Sequence, residues 1–220
     1  MLKYELTGLL LSRLGPEVDL SAVATMQFSR NLYATIMVAV FGAIVLVAAS
    51  DTSATLIDTG GLDVAALMAF KDKGGALRDY GKGEKRGPDA ILDVSCDIWI
   101  PAARPDVVRA DNVGRLKTRL MPQGANIPCT PEAEEALHRR GVLVVPDFIA
   151  NAGGVTASYF EWVQNRQHYR WDLNRVRQEL DRVLTTSFES VWELSATRKI
   201  SLRAAAYVLG IGRVRRATEL

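Results

Sequence analysis

VLVVPDFIANAGGVTASYFEWVQN, residues Val142 to Asn165, decides how the rest of the chain is read. Val142, Leu143, Val144 and Val145 make a short, uniformly apolar run closed by Pro146, the pattern of a strand buried on both faces of a parallel sheet. Asn151, Ala152, Gly153 and Gly154 read as a turn without bulk, and a helix is expected immediately after it. A strand end, a bare backbone and a helix N-terminus together mark where α/β sheets take ligands, because the sheet crevice and the positive end of the helix dipole coincide there. A strand–turn–helix that binds nothing is the competing reading.

Downstream, Asp172 is placed to cap a long helix whose Leu173, Val176, Leu180, Val183, Leu184, Phe188, Val191 and Leu194 recur at three- and four-residue spacings, a core stripe. Ser201 caps a final helix that contains Gly210 and Gly212, each costing about 1 kcal/mol relative to alanine in a helix interior. Arg213, Arg215 and Arg216 sit near its C-terminus, where a solvated helix end explains them better than nucleic-acid binding.

Upstream, a strand over Arg119 to Pro122 leads into QGANIPCTPEAEEALHRRG. The helix there is specified by local rules: Thr130 at the cap, Pro131 at the first position, Glu132, Glu134 and Glu135 early, basic residues late and a closing Gly141. Those charges match the helix dipole and require no partner. Ser95 to Arg104 reads as a buried strand ending in Pro101, Ala102 and Ala103, and residues 74–88 as an exposed loop. Asp63 caps a helix that places Val64, Leu67, Met68 and Lys71 on one face.

The uncharged run from Asn31 to Ser50 reads two ways. It is long enough to span a membrane. Gly42 divides it, however, into a helix-length half and a β-branched half stopped by Asp51, which fits a buried helix followed by a buried strand. Met1 to Leu11 has no cleavage signature and does not read as a signal peptide.

The chain has 220 residues, 48% hydrophobic and 24% charged, a globular composition, and a net charge of +2 that gives no general attraction to nucleic acid. Cys96 and Cys129 lack CxxC spacing and read as buried thiols of a cytoplasmic protein, with no metal site. His138 and His168 read as surface residues.

NAGGVTASYFEWVQN, residues 151–165, resembles the hallmark segment of the glutamate/leucine/phenylalanine/valine dehydrogenase family, and specifically its glutamate dehydrogenase branch; the usual wording has a valine at Ala157. The resemblance runs from about Gly42 to the C-terminus. It implies an α/β fold, a Rossmann-like doubly wound, mostly parallel sheet followed by C-terminal helices. The domains expected are a degenerate N-terminal segment over 1–40, a dinucleotide-binding domain over 41–170 and a helical segment over 171–220 packing on it.

In such a domain Asp51, ending the second strand, stands where an acid meets the adenosine ribose; on the residues alone, a loop or helix cap is an equal alternative. Pro101 to Ala103 match the edge of the dinucleotide pocket, with Ala102 at the wall. Gly124 and Asn126 match a Glu-Gly-Ala-Asn turn near the nicotinamide ribose, while Gln123 and Ile127 depart from the usual glutamate and small residue. Asn151 would lie beside nicotinamide and substrate, and Val155 and Ser158 would line the substrate pocket, the serine suiting a γ-carboxylate. The residues Val23 to Ala34, where the family carries its GxGxxG turn, contain no glycine; Gln27, Ser29 and Leu32 stand in its place.

The implied activity is oxidative deamination of glutamate with NAD, NADP staying open, in a homo-oligomer that holds glutamate and dinucleotide and engages neither nucleic acid nor membrane. The family's catalytic lysine and aspartate belong to a preceding substrate domain that has no counterpart in this sequence, so no residue here is expected to be catalytic and the chain is expected to be inactive alone. A non-catalytic assembly subunit and a membrane-anchored protein are the rivals.

Overall fold

The computed structural model describes residues 45–219 and the backbone of Val23–Gln27. Of the expected 1–40 segment only Val23–Gln27 is described, and it is a strand of the sheet, so Gln27 ends that strand instead of lying within a turn. The expectations for Ser29 and Leu32 and for the helix-length half of the Asn31–Ser50 run lie outside the described residues. The remainder of that run is a strand, and no helix among the described residues is long and apolar enough to cross a membrane.

Among the described residues seven strands form one sheet: β1 (Val23–Gln27), β2 (Val45–Ser50), β3 (Thr55–Ile57), β4 (Glu84–Arg86), β5 (Ile98–Ile100), β6 (Leu120–Pro122) and β7 (Leu143–Val145), in the order β4-β3-β2-β1-β5-β6-β7. β2, β1, β5, β6 and β7 are parallel, while β3 and β4 extend the β2 edge antiparallel. The strand order reverses between β1 and β5. That is the switch point, outside whose carboxyl ends doubly wound sheets bind ligands.

Side chains alternate across the sheet and fill a core on each face. Ile98, Ile100 and Leu120 join one core with Leu67 of α1 (Val64–Asp72), Phe188 and Val191 of α5 (Leu173–Arg198), and Leu202 and Ala205 of α6 (Leu202–Thr218). Trp99 and Met121 point to the other, shared with Ala133 and Leu137 of α2 (Pro131–Arg139). Each such large apolar side chain withdrawn from water contributes about 1.5–3 kcal/mol. Trp99 can be buried because its indole N–H donates to the Ile91 carbonyl at 3.2 Å. The C-terminal helices thus share one core with the sheet.

The caps form as the local rules require. Asp63, Thr130, Asp172 and Ser201 each accept the backbone N–H three residues on. Gly141 closes α2 with φ at +75°, a conformation glycine adopts without strain.

Four readings of the sequence are corrected. β7 packs both faces but is the edge strand of the sheet among the described residues, so Leu143 and Val144 are only half-buried rather than fully covered. The polypeptide beyond it makes a short helix α3 (Asp147–Ala150) before α4 (Gly153–Gln167), so Gly153 and Gly154 lie inside the first turn of α4 instead of forming a turn ahead of it. Residues 84–86 of the expected loop are an exposed strand, paired to β3 through backbone bonds that no hydrophobic pattern announces. Leu173, at the open end of α5, is exposed and does not join the core stripe.

Candidate functional site

The carboxyl ends of β5, β6 and β7 are stitched together by backbone bonds. Ala125 N–H donates to the Pro101 carbonyl at 2.8 Å and Gln123 N–H to the Val145 carbonyl at 3.0 Å. The turn after β6 lies so close to the turn after β5 that a Cβ at Gly124 would stand 3.3 Å from the Cβ of Ala102. Small residues at both positions are therefore a packing requirement.

This stitching brings Ala102, Gly124, Asn126 and Asn151 into one group. Asn151 ends α3, and its Nδ2 donates to Asn126 Oδ1 at 2.6 Å and, more weakly, to the Gly124 carbonyl at 3.4 Å. Among the described residues nothing takes Asn126 Nδ2 or Asn151 Oδ1. The pair consequently offers a donor and an acceptor at the sheet's carboxyl edge, a set that fits a carboxamide or a ribose hydroxyl.

Val155 and Ser158 are not part of that group of contacts. They lie on an outward stripe of α4 with Tyr159 and Trp162, at helical spacings; Val155 is 71% exposed and the two rings stack at 5.9 Å. The Ser158 hydroxyl donates to the Gly154 carbonyl at 3.1 Å.

Asp51 follows β2, four places from β7 in the strand order, and it displays the loop-cap alternative. One carboxylate oxygen accepts from Ser53 N–H, Ser53 Oγ and Ala54 N–H, and the other from Lys71 Nζ at 2.6 Å and Leu77 N–H at 3.0 Å. Burial opposes its charge, but Lys71, Ser53 and the backbone donors outweigh it and hold the carboxyl well below the usual carboxylate range. Its lone pairs are committed within the loop, and Lys71 reaches across to it rather than lying along the α1 face.

Beneath the asparagines lies a cluster that the sequence pattern does not announce. Gln123 is fully buried; its Oε1 accepts from Asp147 N–H at 3.2 Å and from Arg203 Nη2 at 2.7 Å, and its Nε2 approaches Glu134 Oε1 at 3.4 Å. Arg203 pairs with Asp147 Oδ1 at 2.8 Å and, through Nε, with Glu134 Oε2 at 2.5 Å, and its guanidinium lies over the Phe148 ring. Burial works against the Arg203 charge, yet Glu134 and Asp147 push its pKa above the ordinary arginine value. Glu134 is thus an ion-pair partner as well as a dipole-matched residue. The available signal was Arg203 itself: a cation in the first turn of a helix opposes the dipole unless an acid answers it.

Both cysteines are buried, and burial pushes the Cys129 thiol up to about 12. His138 and His168 are exposed.

Residues 32–220 match the family model described as Glutamate/Leucine/Phenylalanine/Valine dehydrogenase. The chain belongs to this family. It is 39% identical over 213 residues to a glutamate dehydrogenase of Thermotoga maritima, covering 96% of this chain and 51% of that protein. It is 41% identical over 174 residues to an NAD-specific glutamate dehydrogenase of Staphylococcus aureus, covering 79% of this chain and 42% of that protein. The chain therefore spans about half the length of the curated relatives it matches. The crystal structure of a hetero-hexameric glutamate dehydrogenase from Thermus thermophilus superposes with a TM-score of 0.85 at 26% identity, over 99% of this chain and 51% of that one. The doubly wound fold is thereby that of the dehydrogenase family.

Proposed function

We propose that this chain is the dinucleotide-binding half of an amino-acid dehydrogenase, acting on glutamate with NAD, and that these residues alone bind the dinucleotide without sustaining turnover. The observation that carries the reading is the Asn126–Asn151 pair, with an uncommitted donor and acceptor beside the small-residue wall of Ala102 and Gly124. Bound there, the nicotinamide would supply the hydride acceptor. Asn151 would orient its carboxamide edge and Asn126 the adjoining ribose, while Val155 and Ser158 would face the substrate side chain.

The expectation of no turnover rests on two acids at the carboxyl edge of the sheet. Asp147 is buried and committed to Arg203 and a backbone amide, and Asp51 is locked to Lys71. Neither has the freedom to shuttle protons to and from an amine. A second polypeptide segment, seated on the exposed Val155–Trp162 stripe of α4, would have to supply that chemistry. A homo-oligomer is the assembly we favour, and two buried cysteines without CxxC spacing suit the cytoplasm. NAD is preferred over NADP because a 41% identical relative is named NAD-specific. With Asp51 neutralised by Lys71, repulsion of a 2′-phosphate is a weaker argument, and a ribose contact would require that pair to open.

Titrating the chain with NADH and with NADPH, each followed by nucleotide fluorescence, tests the site. Saturable binding that is tighter for NADH and weakened by Asn151→Ala at an unchanged melting midpoint is expected. If neither nucleotide binds, the assignment fails. Adding glutamate and NAD to the same preparation is expected to yield no NADH, and sustained production would refute inactivity of the isolated chain.

A further inference from the structure

Ile127 joins the buried charge cluster to the Asn126–Asn151 pair. Its φ is +49°, in the left-handed region that a β-branched side chain resists. The side chain does nothing to hold it there, since Ile127 is 59% exposed. Two backbone bonds do: its N–H donates to Asp147 Oδ2 at 2.8 Å, and its carbonyl accepts from Asp106 N–H at 3.0 Å. The other Asp147 oxygen is on Arg203, whose Nη2 also binds Gln123 Oε1. The turn is thus gripped at both ends, Gln123 through Arg203 and Ile127 through Asp147, with Gly124, Ala125 and Asn126 between them.

We propose that Asp147 is a positioning residue for the dinucleotide site, enforcing the left-handed backbone at Ile127 and so setting the Asn126 side chain against Asn151. The inference rests on the dinucleotide reading above. Its physical content is a compensation: a glycine at 127 would adopt the same backbone freely, so it would do unaided what Asp147 must impose on isoleucine. A carboxylate that served only to neutralise Arg203 would show no such relationship.

The test uses the full chain as wild type, Asp147→Asn, Ile127→Gly and the double variant. NADH affinity, the melting midpoint and hydrogen exchange of the residue-127 amide are measured on each. Asp147→Asn is expected to weaken NADH binding about ten- to a hundred-fold, the scale of a displaced binding group, and to speed exchange at 127. The double variant is expected to regain most of the affinity while keeping the lowered midpoint, because Arg203 still lacks its partner. A double variant that binds as poorly as Asp147→Asn overturns the proposal. If Asp147→Asn does not fold, Ile127→Gly decides: a raised midpoint with retained affinity supports it, and a fall in both overturns it. If the wild type binds no NADH, the dinucleotide reading has failed; unchanged protection of amide 127 in Asp147→Asn then sinks the positioning role separately, and faster exchange sustains it.

Discussion

Two acids near the carboxyl edge of the sheet, Asp51 and Asp147, are each neutralised by one cation, yet they secure the fold at different ranges. Asp51 serves the loop that follows β2: its partners lie within 26 residues, and the Lys71 pair closes a segment that already folds back on itself. Asp147 reaches 56 residues to Arg203, and Arg203 reaches 80 residues to Gln123. The first arrangement shapes one loop. The second fixes α6 to α2, α3 and the end of β6 at once. An ion pair's structural weight here depends on how many separate elements it holds and on whether removing one partner strands the others without water.

Arg203→Met tests the larger side of that contrast. It leaves Glu134 and Asp147 facing each other with their shared cation gone, in surroundings where Arg203 is only 20% exposed. Breaking a buried pair in this way costs about 3–5 kcal/mol, read as a lower urea midpoint. A loss below about 1 kcal/mol, the value of an exposed pair, would reduce this cluster to the rank of a surface salt bridge. Asp51→Asn should cost less, about 1–2 kcal/mol, since the amide oxygen can still accept from the loop backbone. Its pH dependence gives a sharper signature. The folded-state pKa of Asp51 is depressed below the unfolded value of about 3.9, so its contribution is complete above about pH 4 and is lost as the pH falls through the folded value. Wild type and Asp51→Asn should therefore converge in stability in acid and diverge near neutrality; parallel curves would contradict the pairing.

The same difference in range explains what the sequence displayed. The caps at Asp63, Thr130, Asp172 and Ser201 and the closing Gly141 were legible because each acts within a few residues. The parallel strands after β1 were legible as apolar runs, although their ends were not. β4 was invisible because Glu84, Lys85 and Arg86 are all exposed and its pairing is carried by backbone alone. In the site, Ala102, Gly124, Asn126 and Asn151 could be singled out through resemblance of short segments, and the structure gathers those four. Gln123, Glu134, Asp147 and Arg203 could not be joined in advance. They lie on four elements, and only the fold determines which acid answers Arg203.

α6 carries the contrast within a single helix and gives the smallest predicted effect. Its first turn is anchored by Ser201 and Arg203, whereas from Tyr207 onward it presents Tyr207, Val208, Ile211 and Val214 to solvent. A Cβ at Gly210 would meet nothing within 4 Å, and one at Gly212 would meet only the tip of Arg216 at 3.9 Å. Neither glycine has a left-handed φ, so neither is demanded by the backbone. Gly210→Ala and Gly212→Ala should each stabilise the chain by about 0.5–1 kcal/mol through the lost flexibility of the unfolded state and better helix propensity. The gain requires that the C-terminal half of α6 unfold together with the body of the protein. If it frays separately, the alanines will slow amide exchange after residue 208 and leave the global urea midpoint unmoved, which would confine the reach of the Arg203 anchor to the first turns of α6.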